Sequence, residues 1–189
     1  MCAQCYFERR ISAVAKDDDC LLQLSSFAGR STHWSGMRLE MAAKRPAPML
    51  PARFEEFVRQ GMEAGSIKFT NGKDATEIVI PQYAIGFKRL MEEVVSLEFS
   101  NLGWGDADAI ELAIALEHAH SHGGLRRVTK LELMRNNISD DGMAAIASML
   151  RGGAMPKLKT KGLMISFNPA SKRAQDEVWA AFKSRGKAK

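Results

Sequence analysis

The sequence predicts an α/β fold in which short parallel strands alternate with helices. Three observations predict it. The first is self-similarity: residues 94–104 align with 128–138 and with 160–170, through anchor leucines Leu97, Leu131 and Leu163 at intervals of 34 and 32 residues. A repeat at such a period marks a stacked architecture, because no single unit can bury its own apolar face. The second is local alternation. Leu131 and Leu133 are flanked by Lys130, Glu132 and Met134, the period of a strand buried on one side. The third is a helical pattern after each strand. Asp140-Asp141-Gly142-Met143 leads into Ile146, Met149 and Leu150, and Asp106-Ala107-Asp108-Ala109 leads into Leu112 and Leu116. In the last block Ala174, Val178 and Phe182 recur every fourth residue, an amphipathic helix. Each unit therefore reads as strand, tight turn, helix and return loop.

The remaining elements come in chain order. Residues 1–50 show no sustained period and read as a disordered arm, with Lys44-Arg45-Pro46-Ala47-Pro48 as a linker, since two closely spaced prolines prevent regular hydrogen bonding. Met41 begins a plausible shorter chain, so residues 1–40 read as a possible extension of the gene model. From Pro51, a first-turn proline, Phe54, Phe57, Val58 and Met62 make one helical stripe, and Gly65 supplies a C-cap. Two β-like runs, 66–70 and 76–81, flank Asn71-Gly72 and read as a hairpin. A short helix is expected over 85–93. Residues 51–93 thus form an N-terminal cap, 94–185 the repeats and 186–189 a basic tail. The last helix, 171–185, closes the stack.

The middle unit is the most regular: Leu131-Glu132-Leu133-Met134-Arg135-Asn136-Asn137-Ile138, then Asp140-Asp141-Gly142. On these residues, residues 94–185 resemble the leucine-rich repeat family, of the ribonuclease-inhibitor type with a strand and an α-helix per unit. The outer units depart from the family pattern. The first has Leu102 where the family places Asn, Trp104 at the aliphatic position and Asp108 for Gly; the third has Pro169-Ala170 after Asn168. The intervals also exceed the ~20–29 residues usual in the family, so the return loops are longer. A buried Asn136 or Asn168 is expected to bond backbone groups that the turn leaves unpaired.

Bulk properties narrow the function classes. The chain of 189 residues is 46% hydrophobic and 26% charged, an ordinary globular composition. No apolar run approaches the ~20 residues of a membrane span, and the N-terminus lacks a secretory apolar core. Three cysteines, Cys2, Cys5 and Cys20, all precede the repeats. An odd number without a signal points to a reducing compartment, cytoplasmic or nuclear. The net charge of +5 is uneven: residues 151–189 hold ten basic and two acidic groups, while 101–150 hold four and seven.

No catalytic constellation emerges. Cys2-x-x-Cys5 lacks the second pair that structural zinc needs, and Cys20 and His33 complete no standard spacing. His118 and His122 share a helix face and could hold a metal, but with His120 they also suit the negative end of a helix. Asp106, Asp108, Asp140 and Asp141 begin helices, where acids are favoured. No nucleophile elbow, phosphate loop or dinucleotide fingerprint occurs. No cofactor and no small-molecule substrate are expected.

The family resemblance implies a non-enzymatic protein-binding module that uses the concave face of its sheet. The outward positions are Ser96, Glu98, Ser100 and Asn101, then Lys130, Glu132, Met134 and Arg135, then Lys161, Met164, Ser166 and Phe167. Mixed charge with exposed Met and Phe suits protein recognition, with Met134, Arg135 and Phe167 as the expected anchors. Two alternatives stand beside this: a basic module binding nucleic acid or acidic surfaces through residues 151–189, and a fragment of a longer repeat protein.

Overall fold

The computed structural model describes residues 30, 33, 45–69, 71 and 73–185. Among them are five α-helices and one three-stranded parallel sheet, so the fold is mixed α/β. Helix α1 spans Pro51–Glu63 and α2 Ile80–Glu93. Three strand–turn–helix segments come next: β1 (Ser96–Glu98) with α3 (Asp106–Ser121), β2 (Lys130–Glu132) with α4 (Asp140–Arg151), and β3 (Leu163–Met164) with α5 (Lys172–Ser184). The strands lie in sequence order, with Leu97 opposite Leu131 and Leu131 opposite Leu163. Helix α3 packs on α4 and α4 on α5.

The inward side chains explain this order. Leu97, Phe99, Leu131, Leu133, Leu163 and Ile165 are buried beneath the sheet, and Leu112, Leu116, Met143, Ile146, Leu150 and Val178 meet them from the helices. Each such side chain contributes roughly 1.5–3 kcal/mol when removed from water. The strands are only two or three residues long, so this shared core holds them in register more than their ladder does.

Polar side chains bind each unit to its neighbour. Asn136 is buried; its Oδ1 accepts from Leu102 N (2.9 Å) and Trp104 N (3.1 Å), and its Nδ2 donates to Phe99 O (2.7 Å) and Leu133 O (3.1 Å). Asn168 repeats the pattern one unit later, accepting from Ile138 N and donating to Leu133 O and Ile165 O. The carboxylates do the same. Asp106 accepts from Ser139 N (2.7 Å), Ser139 Oγ (2.5 Å) and Gly142 N (3.1 Å), and Asp140 accepts from Ser171 N and Ser171 Oγ. Each acid therefore secures the helix start of the following unit as well as sitting in its own first turn.

The hydrogen bond from Ser139, followed by those from the backbone, holds the Asp106 carboxyl below its ordinary range. Its contribution to stability is therefore present above the unfolded value near 3.8 and is lost as pH falls through the depressed folded value. Asp106→Asn is expected to cost about 1–2 kcal/mol at pH 7. In urea unfolding, its deficit relative to the parent should narrow below pH ~4. An equal deficit at pH 7 and pH 3 would show that geometry, and not charge, sets the contribution.

The cap differs from the sequence expectation in two places. The hairpin around Asn71-Gly72 does not form. Asn71 O accepts from Asp74 N, and Lys73 O accepts from Thr76 N and Glu77 N, which starts a π-helical turn over Ala75–Val79 that runs directly into α2. The expected short helix over 85–93 is thus the second half of a longer one, with Pro81 in its first turn. The alternation of Ile78 and Ile80 yields to a helical stripe, since Ala75, Tyr83, Phe87 and Met91 are the buried positions while Ile78 is exposed.

The expected linker is also part of the folded body. Arg45 and Ala47 are buried, Trp104 Nε1 donates to Arg45 O (2.7 Å) and Tyr83 Oη donates to Met49 O (2.7 Å). Arg45 itself donates to Glu98 O on β1 and lies over the Phe99 ring. Leu102 occupies the position of Asn136 and Asn168, and among the described residues no strand–turn–helix segment precedes it. At the other end, Arg185 donates to the carbonyls of Met155 and Leu158 in the last return loop and lies 4.0 Å over the Phe182 ring. The cysteines, residues 1–29 and the basic tail 186–189 lie outside the described residues.

Candidate functional site

The outward side of the sheet is the candidate site. Because side chains alternate along a strand, burying Leu97 and Leu131 turns Ser96, Glu98, Lys130 and Glu132 outward, and none of these four is buried. Glu98 and Glu132 stand directly opposite one another in the register. Like charges at that separation repel, and Lys130 relieves the repulsion: its Nζ lies 3.2 Å from Glu98 and 2.6 Å from Glu132. Hydrogen bonds from Ser96 and then Lys130 lower the Glu98 carboxyl pKa, and those with Glu132 and Glu98 raise that of the Lys130 ammonium. All three remain partly open to solvent, so the cluster sets the charge pattern of the face more than it stabilises the fold.

The face continues through Ser100 and Asn101 after β1, Met134 and Arg135 after β2, and Met164 of β3 with Ser166 and Phe167 after it. Met134 and Met164 are half-buried, while Asn101, Arg135, Ser166 and Phe167 are exposed. Asn101, Arg135 and Phe167 occupy equivalent positions and share a left-handed backbone, with φ of 59°, 55° and 60°. Ladder bonds continue across these turns: Met134 O accepts from Asn101 N and Ser166 O accepts from Arg135 N. The Arg135 guanidinium lies 5.6 Å from the centre of the Phe167 ring, which is 70% exposed.

Ser100 follows this face with its Oγ buried and without a hydrogen-bond partner among the described residues, and ten others of the twelve positions expected from the sequence lie along the same surface. Lys161 does not. It falls in a 3₁₀ turn, Thr160–Gly162, ahead of β3. The residue abreast of Lys130 is Gly162, where a Cβ would meet the Thr129 carbonyl oxygen and, at 3.2 Å, the Lys130 Cα. Lys161 belongs to the return-loop edge instead.

The histidines occupy another place. His118 and His122 face a cleft of about 270 Å³ between the end of α3 and helix α2, near Phe87, Lys88, Met91 and Glu92. Their rings are 4.1 Å apart, and His122 Nδ1 lies 2.8 Å from His118 O. Burial, and then the neighbouring His122, lowers the pKa of His118. Among the described residues no three His, Cys, Asp or Glu side chains converge as metal ligands, and no helix is long and apolar enough to cross a membrane. No protein-family model matches the chain, and neither a curated protein nor a solved structure is significantly similar to it.

Proposed function

We propose that this protein is a non-enzymatic binding module of the leucine-rich-repeat kind, and that its outward sheet face engages another protein. The observation that carries this reading is Phe167. A bulky side chain in left-handed backbone costs roughly 1 kcal/mol, whereas Asn tolerates it, as at Asn101. Phe167 is held there and is still 70% exposed, so its ring adds little to the core. A strained, exposed aromatic beside an arginine is the composition of an interface anchor. The acids give further support: Asp106 and Asp140 are engaged with the next unit's backbone and hydroxyls and serve as structural acceptors.

A trade-off is the expected result. Phe167→Asn should raise stability by up to ~1 kcal/mol while weakening partner binding at least about tenfold. Affinity capture from source lysate at ~150 mM salt tests it with three full-length baits: the parent, Arg135→Glu/Phe167→Asn, and Glu117→Lys on the outer side of α3. Proteins retained by the parent and the α3 variant, but lost with the sheet-face variant, support the proposal. Proteins retained equally by all three would overturn it.

A further inference from the structure

We infer that the return-loop edge of this protein is a second, independent interaction surface, one that binds the phosphate backbone of duplex nucleic acid without reading sequence. The strands are parallel, so every return loop arrives at the same edge of the sheet. Hydrogen bonds stack these loops: Val95 O accepts from Thr129 N (2.9 Å) and Thr129 O accepts from Lys159 N (3.1 Å). Adjacent strands are ~4.8 Å apart, so Arg126 and Arg127 of one loop lie beside Lys157, Lys159 and Lys161 of the next. All five side chains are exposed. Among the described residues none of the five makes an ion pair.

The fold separates charge along this edge: Glu92 and Glu93, at the end of α2, adjoin the first loop, where Leu125 N donates to Met91 O, and the cations lie beyond them. The sequence has no Asp or Glu from His118 to Leu131, nor from Gly142 to Gln175. Asp106, Asp108, Asp140 and Asp141 all lie in the first turns of α3 and α4, at the opposite edge. Arg185, bonded to the carbonyls of Met155 and Leu158, brings the end of α5 to the same loops.

The side chains between the cations select the partner class. The loops 123–130 and 152–162 contain no Phe, Trp or Tyr, so they offer no platform for unpaired bases. Their apolar residues Leu125, Val128, Met155 and Leu158 are buried, so they do not supply the inserting side chains of an amphipathic membrane contact. What remains is a ridge of cations at close spacing, suited to the dense charge of a duplex backbone.

Fluorescence anisotropy of the full chain with labelled 20-base-pair DNA and RNA duplexes tests this. With about five phosphate contacts, affinity should fall ~10²–10³-fold between 50 and 200 mM salt. Arg127→Glu/Lys159→Glu should weaken binding at least tenfold at 50 mM salt and reduce the salt slope by about two. Lys172→Glu/Arg173→Glu, at the start of α5 and with the same change in net charge, should have less than a threefold effect, as should Lys187→Ala/Lys189→Ala. Circular dichroism and thermal melting establish that each variant is folded. Binding to either duplex with this pattern supports the inference, and the tighter one identifies the source of the backbone.

Three results would overturn it. One is no duplex binding at 50 mM salt. Another is equal loss with the two charge-reversal pairs, which would leave net charge alone as the cause, or loss confined to the tail variant. The third is partition onto vesicles with about 30% phosphatidylserine in the absence of duplex binding, which would assign the ridge to anionic lipid.

Discussion

Replacing Asn136 with alanine is expected to destabilise the protein by about 4 kcal/mol, because the amide's partners are left buried and unpaired. Leu102 N and Trp104 N lose their acceptor, and Phe99 O and Leu133 O lose a donor. Such a site is costly because the freed polar groups are buried in a low-dielectric interior. The damage also crosses a unit boundary. Trp104 stacks on Phe99 at 4.7 Å and holds Arg45 through its indole N–H, so loosening its backbone loosens the N-terminal cap. Asn168→Ala provides the comparison. Its amide makes similar bonds at a less buried position, and about half the loss is expected. Urea unfolding of both variants checks this, and a smaller loss at Asn136 than at Asn168 would contradict it.

Gly162→Ala is expected to cost 3 kcal/mol or more, which is large for the addition of one methyl group. The new Cβ would press on the Thr129 carbonyl and come within 3.2 Å of the Lys130 Cα. Both obstacles are backbone, and neither moves without parting β2 from β3. Met164 and Phe167 come soon after Gly162, so the substitution should impair the sheet face together with the fold. Gly105→Ala is the control. Its Cβ would stand 3.9 Å from the Asn137 carbonyl, and a change within about 0.5 kcal/mol is expected. Equal melting temperatures for the two variants would refute the steric account.

The two outer strands of the sheet differ from the middle one. Between units, the polar groups at the turns find partners in the neighbouring unit, as Asn136 and Asp106 do. At the ends arginines take that place: Arg45 satisfies a carbonyl of β1, and Arg185 satisfies the last return loop. Their guanidinium groups also cover the rings of Phe99 and Phe182. A long side chain with several donors reaches backbone carbonyls that no neighbouring amide serves there.

Read alone, the sequence determined the α/β class, the three strands and the helices that succeed them. Leu97, Leu131 and Leu163, with the alternation around them, carry that information, because period 2 against period 3.6 is a local property. It also determined that Asn136 and Asn168 would serve the turns, because an amide is the side chain that both donates and accepts there. Only the tertiary structure decided the cap. Residues 76–81 alternate like a strand, yet the chain takes a helical course whose stripe of Ala75, Tyr83, Phe87 and Met91 is buried in the core, with Tyr83 stacked on Phe54. Residues 44–48 read as a linker because Pro46 and Pro48 hide what Trp104 and Tyr83 need from the carbonyls of Arg45 and the adjoining Met49. Charge divided in the same way. Counting along the chain sets Arg126 and Arg127 in an acidic stretch, whereas parallel stacking carries them to one edge with Lys157, Lys159 and Lys161 and sends the aspartates to the other. Composition is a sum over neighbours in sequence, and a surface is a sum over neighbours in space.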